Sequence, residues 1–199
     1  MIFDKIPLLC FLILIAVLLL RVLNLRKRGI SLFSKRKDKI TRIRFLLPVF
    51  GLVFLLWLFE IVKTALGSSI LILPAILTTE IFECFILRFI GSGLLLISIV
   101  LWIITLQHFK TSLRFGLDKN NPGKLVTTGI FSISRNPFFL SLDLYFLGVA
   151  IILPSWFFIG FTLSAFIGIH FSILNEERFL KEVYGNEYRA YKHKTRRYF

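Results

Sequence analysis

Apolar residues in this chain gather into long, nearly unbroken blocks separated by basic segments, without the strict alternation of a half-buried strand or the single stripe of a soluble helix. A helix needs about 20 mostly apolar residues to cross the hydrocarbon core of a bilayer. Blocks of that kind cover residues 6–23, 45–66, 85–106, 137–153 and 156–174. They predict an all-α integral membrane bundle of about five transmembrane helices, because lipid leaves no water to satisfy irregular backbone. A further apolar stretch, 68–79, is interrupted by Pro74 and is expected to dip into the outer interface without crossing.

The last two blocks are separated only by Pro154 and Ser155, so they are expected to form an antiparallel hairpin, followed by a helical tail. The fifth block carries Gly160, Ser164, Gly168 and Ser172, a small residue at every fourth position. That spacing predicts close approach of a neighbouring helix, with the fourth block as the natural partner. Two regions follow: a three-span part over 1–106 with a basic loop at 21–44, and a part over 107–199 that holds a polar loop, the hairpin and the tail.

Composition agrees with lipid as the solvent. With 56% hydrophobic residues among 199 and a mean hydropathy of +0.80, a single soluble core of this size cannot hide the apolar surface. The two cysteines, Cys10 and Cys84, exclude a disulfide-stapled fold and read as small buried hydrophobes. The first block lacks a basic leader, has Asp4 ahead of it and no small-residue cleavage site before Arg21, so a retained first span is expected rather than a signal peptide.

The net charge of +14 raises nucleic acid as a partner, and its distribution argues against it. Of the 25 Lys and Arg, ten fall in 21–44, five in 107–136 and seven in 175–199, which are alternate loops. Positive residues are retained on the cytoplasmic side, so the amino terminus is expected outside and the carboxyl terminus inside. Attraction to anionic headgroups would follow as a second consequence.

Residues polar enough for chemistry converge on the cytoplasmic end of the expected hairpin. Asn120-Asn121-Pro122-Gly123 is a turn by residue type, and Gly129 marks another bend. Asn136 before Pro137 is a good helix start, with Asn136 as a side-chain cap. Such a start presents free amides to a carboxylate or phosphate, and Arg135 either strengthens that site or snorkels to headgroups. In the tail, Glu177 and Lys181 have the spacing of a surface ion pair, whereas Glu176 has no equally obvious partner. Gly185 is a helix terminator by type. Asp143 and His170 are costly at membrane depth, and either meet across the hairpin or line a pocket. Glu60 and Lys63 look like a local pair with Lys63 snorkelling. There is no phosphate loop, no dinucleotide-binding glycine motif and no Cys/His cluster with metal spacing.

One resemblance rests on Lys124-Leu125-Val126-Thr127-Thr128-Gly129-Ile130-Phe131, Ser134-Arg135-Asn136-Pro137-Phe138-Phe139, Glu176-Glu177, and Tyr184-Gly185-Asn186-Glu187-Tyr188-Arg189-Ala190-Tyr191. In this order and spacing, over about residues 107–197, the set resembles the isoprenylcysteine carboxyl methyltransferase and phospholipid methyltransferase superfamily. The resemblance implies S-adenosyl-L-methionine as cofactor, in a pocket under the mouth of the last two spans that is closed by the tail. By position, Gly123, Lys124, Leu125, Val126, Phe131, Asn136, Pro137, Phe138, Phe139 and Glu176 would hold the cofactor, with Arg135, Asn136 and Glu176 at the reacting centre and no metal. It also implies a lipid or other small membrane-soluble acceptor. Two residues depart from the pattern: Asn136 stands where the family usually has His, and Ser172 where the eukaryotic carboxyl methyltransferases have Arg. Competing readings are a sterol-reductase-like enzyme using a nicotinamide cofactor, since those share an Arg-x-Pro and a terminal Gly-x-x-x-Tyr, and a non-catalytic membrane scaffold.

Overall fold

A computed structural model describes residues 2–29, 46–109 and 124–198; the expected basic loop at 21–44 from residue 30 onward and the Asn120–Gly123 turn lie outside the described residues. The described elements are α1 (Ile6–Lys27), α2 (Leu46–Leu66), a single turn α3 (Ala75–Thr78), α4 (Phe85–His108), α5 (Pro137–Ile152) and α6 (Trp156–Lys194). Among the described residues four segments are long and apolar enough to cross a membrane: Phe3–Lys27, Pro48–Leu66, Phe85–His108 and Trp156–Lys194. Large apolar side chains such as Leu12, Leu55, Ile97 and Leu163 stay exposed on these helices, as a lipid-facing surface requires.

The fourth expected span, 137–153, is helix α5, which ends at Ile152. Helix α5 has 16 residues, about 24 Å at 1.5 Å per residue against a hydrocarbon core of about 30 Å. It is enclosed by protein, with Leu140, Ser141, Tyr145, Gly148, Val149, Ala150 and Ile152 all buried. Its tightest neighbour is α4. A Cβ added at Gly148 would lie 2.9 Å from the Gly91 carbonyl oxygen, and one at Gly91 would lie 2.9 Å from that of Gly148. Ser98 Oγ donates to the Ser141 carbonyl at 2.7 Å along the same interface.

The small residues on α6 have a different fate from the one their spacing predicts. Gly160 and Gly168 have no neighbouring atom within 4 Å of an added Cβ, and the Ser164 and Ser172 hydroxyls bond back to the carbonyls of Gly160 and Gly168. That stripe faces outward. Helix α6 meets α5 instead through larger groups: Thr162 Oγ1 donates to the Phe146 carbonyl at 3.1 Å, and the Phe146 and Phe161 rings meet edge-on at 5.4 Å. Trp57 of α2 stacks on Phe161 at 5.0 Å and touches Tyr145, which ties four helices together because Tyr145 OH also donates to the Pro7 carbonyl of α1 at 3.0 Å.

The 68–79 stretch forms no span and contributes only α3, and the nearby Ile81 amide donates to the Pro154 carbonyl between α5 and α6 at 2.7 Å. Ser155 caps α6 by accepting from the Phe158 amide. Glu60 and Lys63 do pair, with Glu60 buried at 2% exposure and the Lys63 side chain at 11%.

Candidate functional site

The site is built where the start of α5 meets the second half of α6 and the chain's last residues. Before its break at Gly185, α6 runs from Trp156 to Tyr184, about 44 Å against a hydrocarbon core of about 30 Å, so its charged part after Leu174 extends beyond the core. Gly185 breaks that part with φ +50°, ψ −116°, and helix then resumes to Lys194. The kink redirects the chain so that residues beyond Thr195 return to the segment leading into α5. Ser134 and Arg196 form a parallel bridge, and the Arg135 amide donates to the Arg196 carbonyl at 3.0 Å. The Arg197 carbonyl accepts from Ser134 Oγ and from Asn136 Nδ2, both at 3.2 Å. Tyr191 OH donates to the Phe131 carbonyl at 2.6 Å and Thr195 Oγ1 to that of Ser132 at 3.4 Å.

This arrangement changes the reading of Asn136. It occupies the N-cap position of α5, but its side chain makes no capping bond and turns to Arg197. Pro137 has no N–H to satisfy, and the amides of Phe138 and Phe139 are left without a side-chain acceptor. The Gly129 bend does form, at φ +66°, and opens a 3-10 turn over Gly129–Ser132.

The two adjacent carboxylates have unlike surroundings. Glu177 is buried and pinned: Arg197 donates to it through Nε and Nη2, each at 3.0 Å, and Arg135 Nη1 approaches it at 3.0 Å. Arg135 also donates to Tyr188 OH at 3.0 Å. Burial pushes the Glu177 carboxyl up, but the Arg197 hydrogen bonds and the Arg135, Arg197 and Lys192 charges outweigh it and hold the group below the usual range. The expected surface pair with Lys181 is therefore replaced by a covered, bidentate one. Nor does Arg135 snorkel, since its side chain is only 7% exposed.

Glu176 has no hydrogen-bond or ion-pair partner among the described residues. It is half-buried. Desolvation, reinforced by the neighbouring Glu177 charge, raises its carboxyl to about 7. Burial likewise raises the phenols of Tyr188 and Tyr191.

An aromatic wall packs the start of α5 against the end of α4. Phe138 stacks on Trp102 at 4.5 Å, Phe131 meets Phe109 at 4.9 Å and Phe139 meets Phe138 at 5.8 Å. Of the residues singled out from sequence, Phe131, Asn136 and Pro137 are buried, Leu125, Val126, Phe138 and Phe139 half-buried and Lys124 exposed; Gly123 is outside the described residues. Asp143 and His170 do not meet. His170 is exposed, and one Asp143 oxygen is buried with no hydrogen-bond partner. Sequence reasoning missed Trp102 and Phe109, seven residues apart at the end of α4, and missed Arg197, which looked like one more cation in a basic tail.

Comparison with curated proteins gives no match. The family described as Phospholipid methyltransferase matches residues 86–187, just over half of the chain, from the start of α4 through the acidic pair and the Gly185 kink. That span holds the Arg135–Asn136–Pro137 start of α5, Glu176, Glu177 and the aromatic wall. The protein therefore belongs to the phospholipid methyltransferase family, within the isoprenylcysteine carboxyl methyltransferase and phospholipid methyltransferase superfamily of membrane methyltransferases.

Proposed function

We infer that the protein is an S-adenosyl-L-methionine-dependent methyltransferase that acts on a lipid or other small membrane-soluble acceptor. The observation that carries this reading is Glu176: a half-buried carboxylate with no partner among the described residues, next in sequence to Glu177, which Arg135 at the entry to α5 contacts. The residues present fit the cofactor. An unpartnered carboxylate suits its ammonium or ribose hydroxyls, the Phe138 and Phe139 amides suit its carboxylate, and Phe131, Phe138 and Phe139 supply aromatic faces for adenine and the sulfonium. Lys124, Leu125 and Val126 complete the proposed pocket, with Gly123 preceding them.

When bound, S-adenosyl-L-methionine supplies an electrophilic methyl group on sulfur. The protein's part is alignment and exclusion of water. Glu176 orients the nucleoside, Asn136 fixes the entry to α5 through Arg197, and Arg135 acts through Glu177 and Tyr188 to hold the acidic pair in place. Rings on α4 and α5 shield the reacting centre.

This reading takes α5 as a fifth, short span and α5–α6 as an antiparallel hairpin with its mouth and tail in the cytoplasm, the amino terminus being outside. The distribution of Lys and Arg supports that orientation. A lipid acceptor then enters sideways between helices while the soluble cofactor enters from the cytoplasm. The test is incubation of membrane lipid extract with methyl-labelled cofactor, with and without purified protein, read by mass spectrometry. Thermal protection by S-adenosyl-L-methionine and transfer of label support the assignment. Protection by NADPH alone favours the reductase reading, and protection by neither favours a scaffold.

A further inference from the structure

The carboxyl-terminal residues Thr195 to Tyr198 are held by the segment they touch more thoroughly than a basic tail needs to be. Arg196 bridges Ser134, the Arg197 carbonyl accepts from two side chains at the entry to α5, and the Arg197 guanidinium grips both oxygens of Glu177. Arg135 shares that carboxylate from the other side. Thus three stretches distant in sequence meet at one buried anion: the α5 entry, the acidic pair and the chain terminus. Tyr198 follows, with its phenol raised first by burial and then by the Asp143 charge.

Two isolated strands with one bridge are not stable alone, and a solvated Arg would lose side-chain entropy in this pose. What compensates is the bidentate bond to a covered carboxylate, which is geometrically specific in a way a Lys contact is not. Removal of the Arg197 side chain would leave Glu177 with Arg135 and the more distant Lys192, and would unlatch the stretch whose Arg197 main-chain carbonyl holds the Ser134 and Asn136 side chains. Those two groups set where α5 begins, and hence where the Phe138 and Phe139 amides and the Phe131 ring stand.

We propose that residues 195–198 form a positioning strap, latched by Arg197 on Glu177, that holds residues 131–139 in the conformation that binds the cofactor. Arg197 and Glu177 are positioning residues that touch neither cofactor nor acceptor, and the proposal rests on the methyltransferase reading above. It divides the acidic pair into an anchor, Glu177, and a ligand, Glu176.

The full-length protein in detergent, its Arg197→Ala and Arg197→Lys variants, and a chain stopped after Lys194 are compared by calorimetric titration with S-adenosyl-L-methionine and by amide hydrogen exchange over 131–139. Lys192→Ala, at an exposed cation 4.0 Å from Glu177, is the control. The strap predicts a Kd raised about tenfold or more in Arg197→Ala and in the shortened chain, partial recovery in Arg197→Lys, and no change in Lys192→Ala. Turnover at saturating cofactor stays within about twofold of the full-length protein, and exchange over 131–139 rises about fivefold even without cofactor. Equal Kd and equal exchange in Arg197→Ala overturn the strap. Full-length protein that fails to bind the nucleoside defeats the methyltransferase reading instead, and the strap is then decided by exchange: faster exchange in the variants upholds it, unchanged exchange ends it.

Discussion

Replacing Glu176 with Gln gives a prediction of unusual sign for a site residue: the unliganded protein should become more stable while its cofactor affinity falls. The ordinary carboxyl value is 4.5, and in the folded protein Glu176 stands at about 7, mainly through desolvation and then through the Glu177 charge. Below 4.5 the group is protonated in both states and costs nothing. Between 4.5 and 7 it ionises in the unfolded chain only, so folded stability falls as pH rises through that window. Above 7 the penalty is complete, at about 3 kcal/mol from the shift at 1.36 kcal/mol per unit. Because solvent still reaches the side chain, that figure is an upper bound. Glutamine carries no charge to desolvate, so Glu176→Gln should equal the parent at pH 4.5 and exceed it by up to about 3 kcal/mol at pH 8.

Thermal unfolding of the detergent-solubilised proteins at both pH values measures this, and for a chain of this size the gain corresponds to a melting point up to about 6–12 °C higher at pH 8. Titration with S-adenosyl-L-methionine supplies the second half. Cationic ammonium or sulfonium beside the carboxylate favours its ionised form, so binding at pH 6 to the parent should release a proton, seen as a dependence of the binding heat on buffer. The Gln variant should release none and bind at least about tenfold more weakly. A Gln variant with no pH-dependent gain would show that Glu176 is well solvated. A gain together with undiminished binding would show that the carboxylate lines some other hollow, and the site assignment would fall.

Other substitutions probe the frame around it. Gly148→Ala puts a methyl group 2.8 Å from Leu95 Cδ2 and 2.9 Å from the Gly91 carbonyl oxygen, and should cost about 1–3 kcal/mol in a thermal or denaturant melt. By contrast Gly160→Ala meets nothing and should be neutral or stabilising by up to about 1 kcal/mol, from helix propensity. Equal losses at both positions would refute the assignment of α4, and not the α6 stripe, as the close-packed contact. Gly129→Ala forces a side chain into φ +66° and against the His108 ring, so cofactor affinity should drop with the displaced 3-10 turn; unchanged titration would dissociate that turn from the site. Tyr191→Phe strands the Phe131 carbonyl and should cost about 1–3 kcal/mol, checked by melting, with no change in the pH dependence that belongs to Glu176.

What could be read from sequence, and what could not, divides along physical lines. The bilayer imposes one length rule on every span, so α1, α2, α4 and α6 were legible from apolar blocks alone. Helix α5 was legible as an element and to within one residue in length, but at 16 residues the length rule does not make it a span. Helix partners were illegible for a different reason. The α6 stripe has four small residues in register and faces outward, whereas the decisive crossing needs one glycine on each of two helices, Gly91 and Gly148. The acidic pair was misassigned by a local rule. A surface i, i+4 pair such as Glu177–Lys181 is worth about 0.3–0.5 kcal/mol, far below a covered bidentate contact, so the long-range guanidinium wins wherever the fold can deliver it. Gly185 delivers it, by turning the tail back on the start of α5. Adjacent residues on a helix point about 100° apart, so once two arginines neutralise Glu177 on the inner side, Glu176 is directed toward a different surface and left without a countercharge. Among the described residues none pairs with Glu176, and a cation that displaces its proton near neutral pH is the partner its surroundings select.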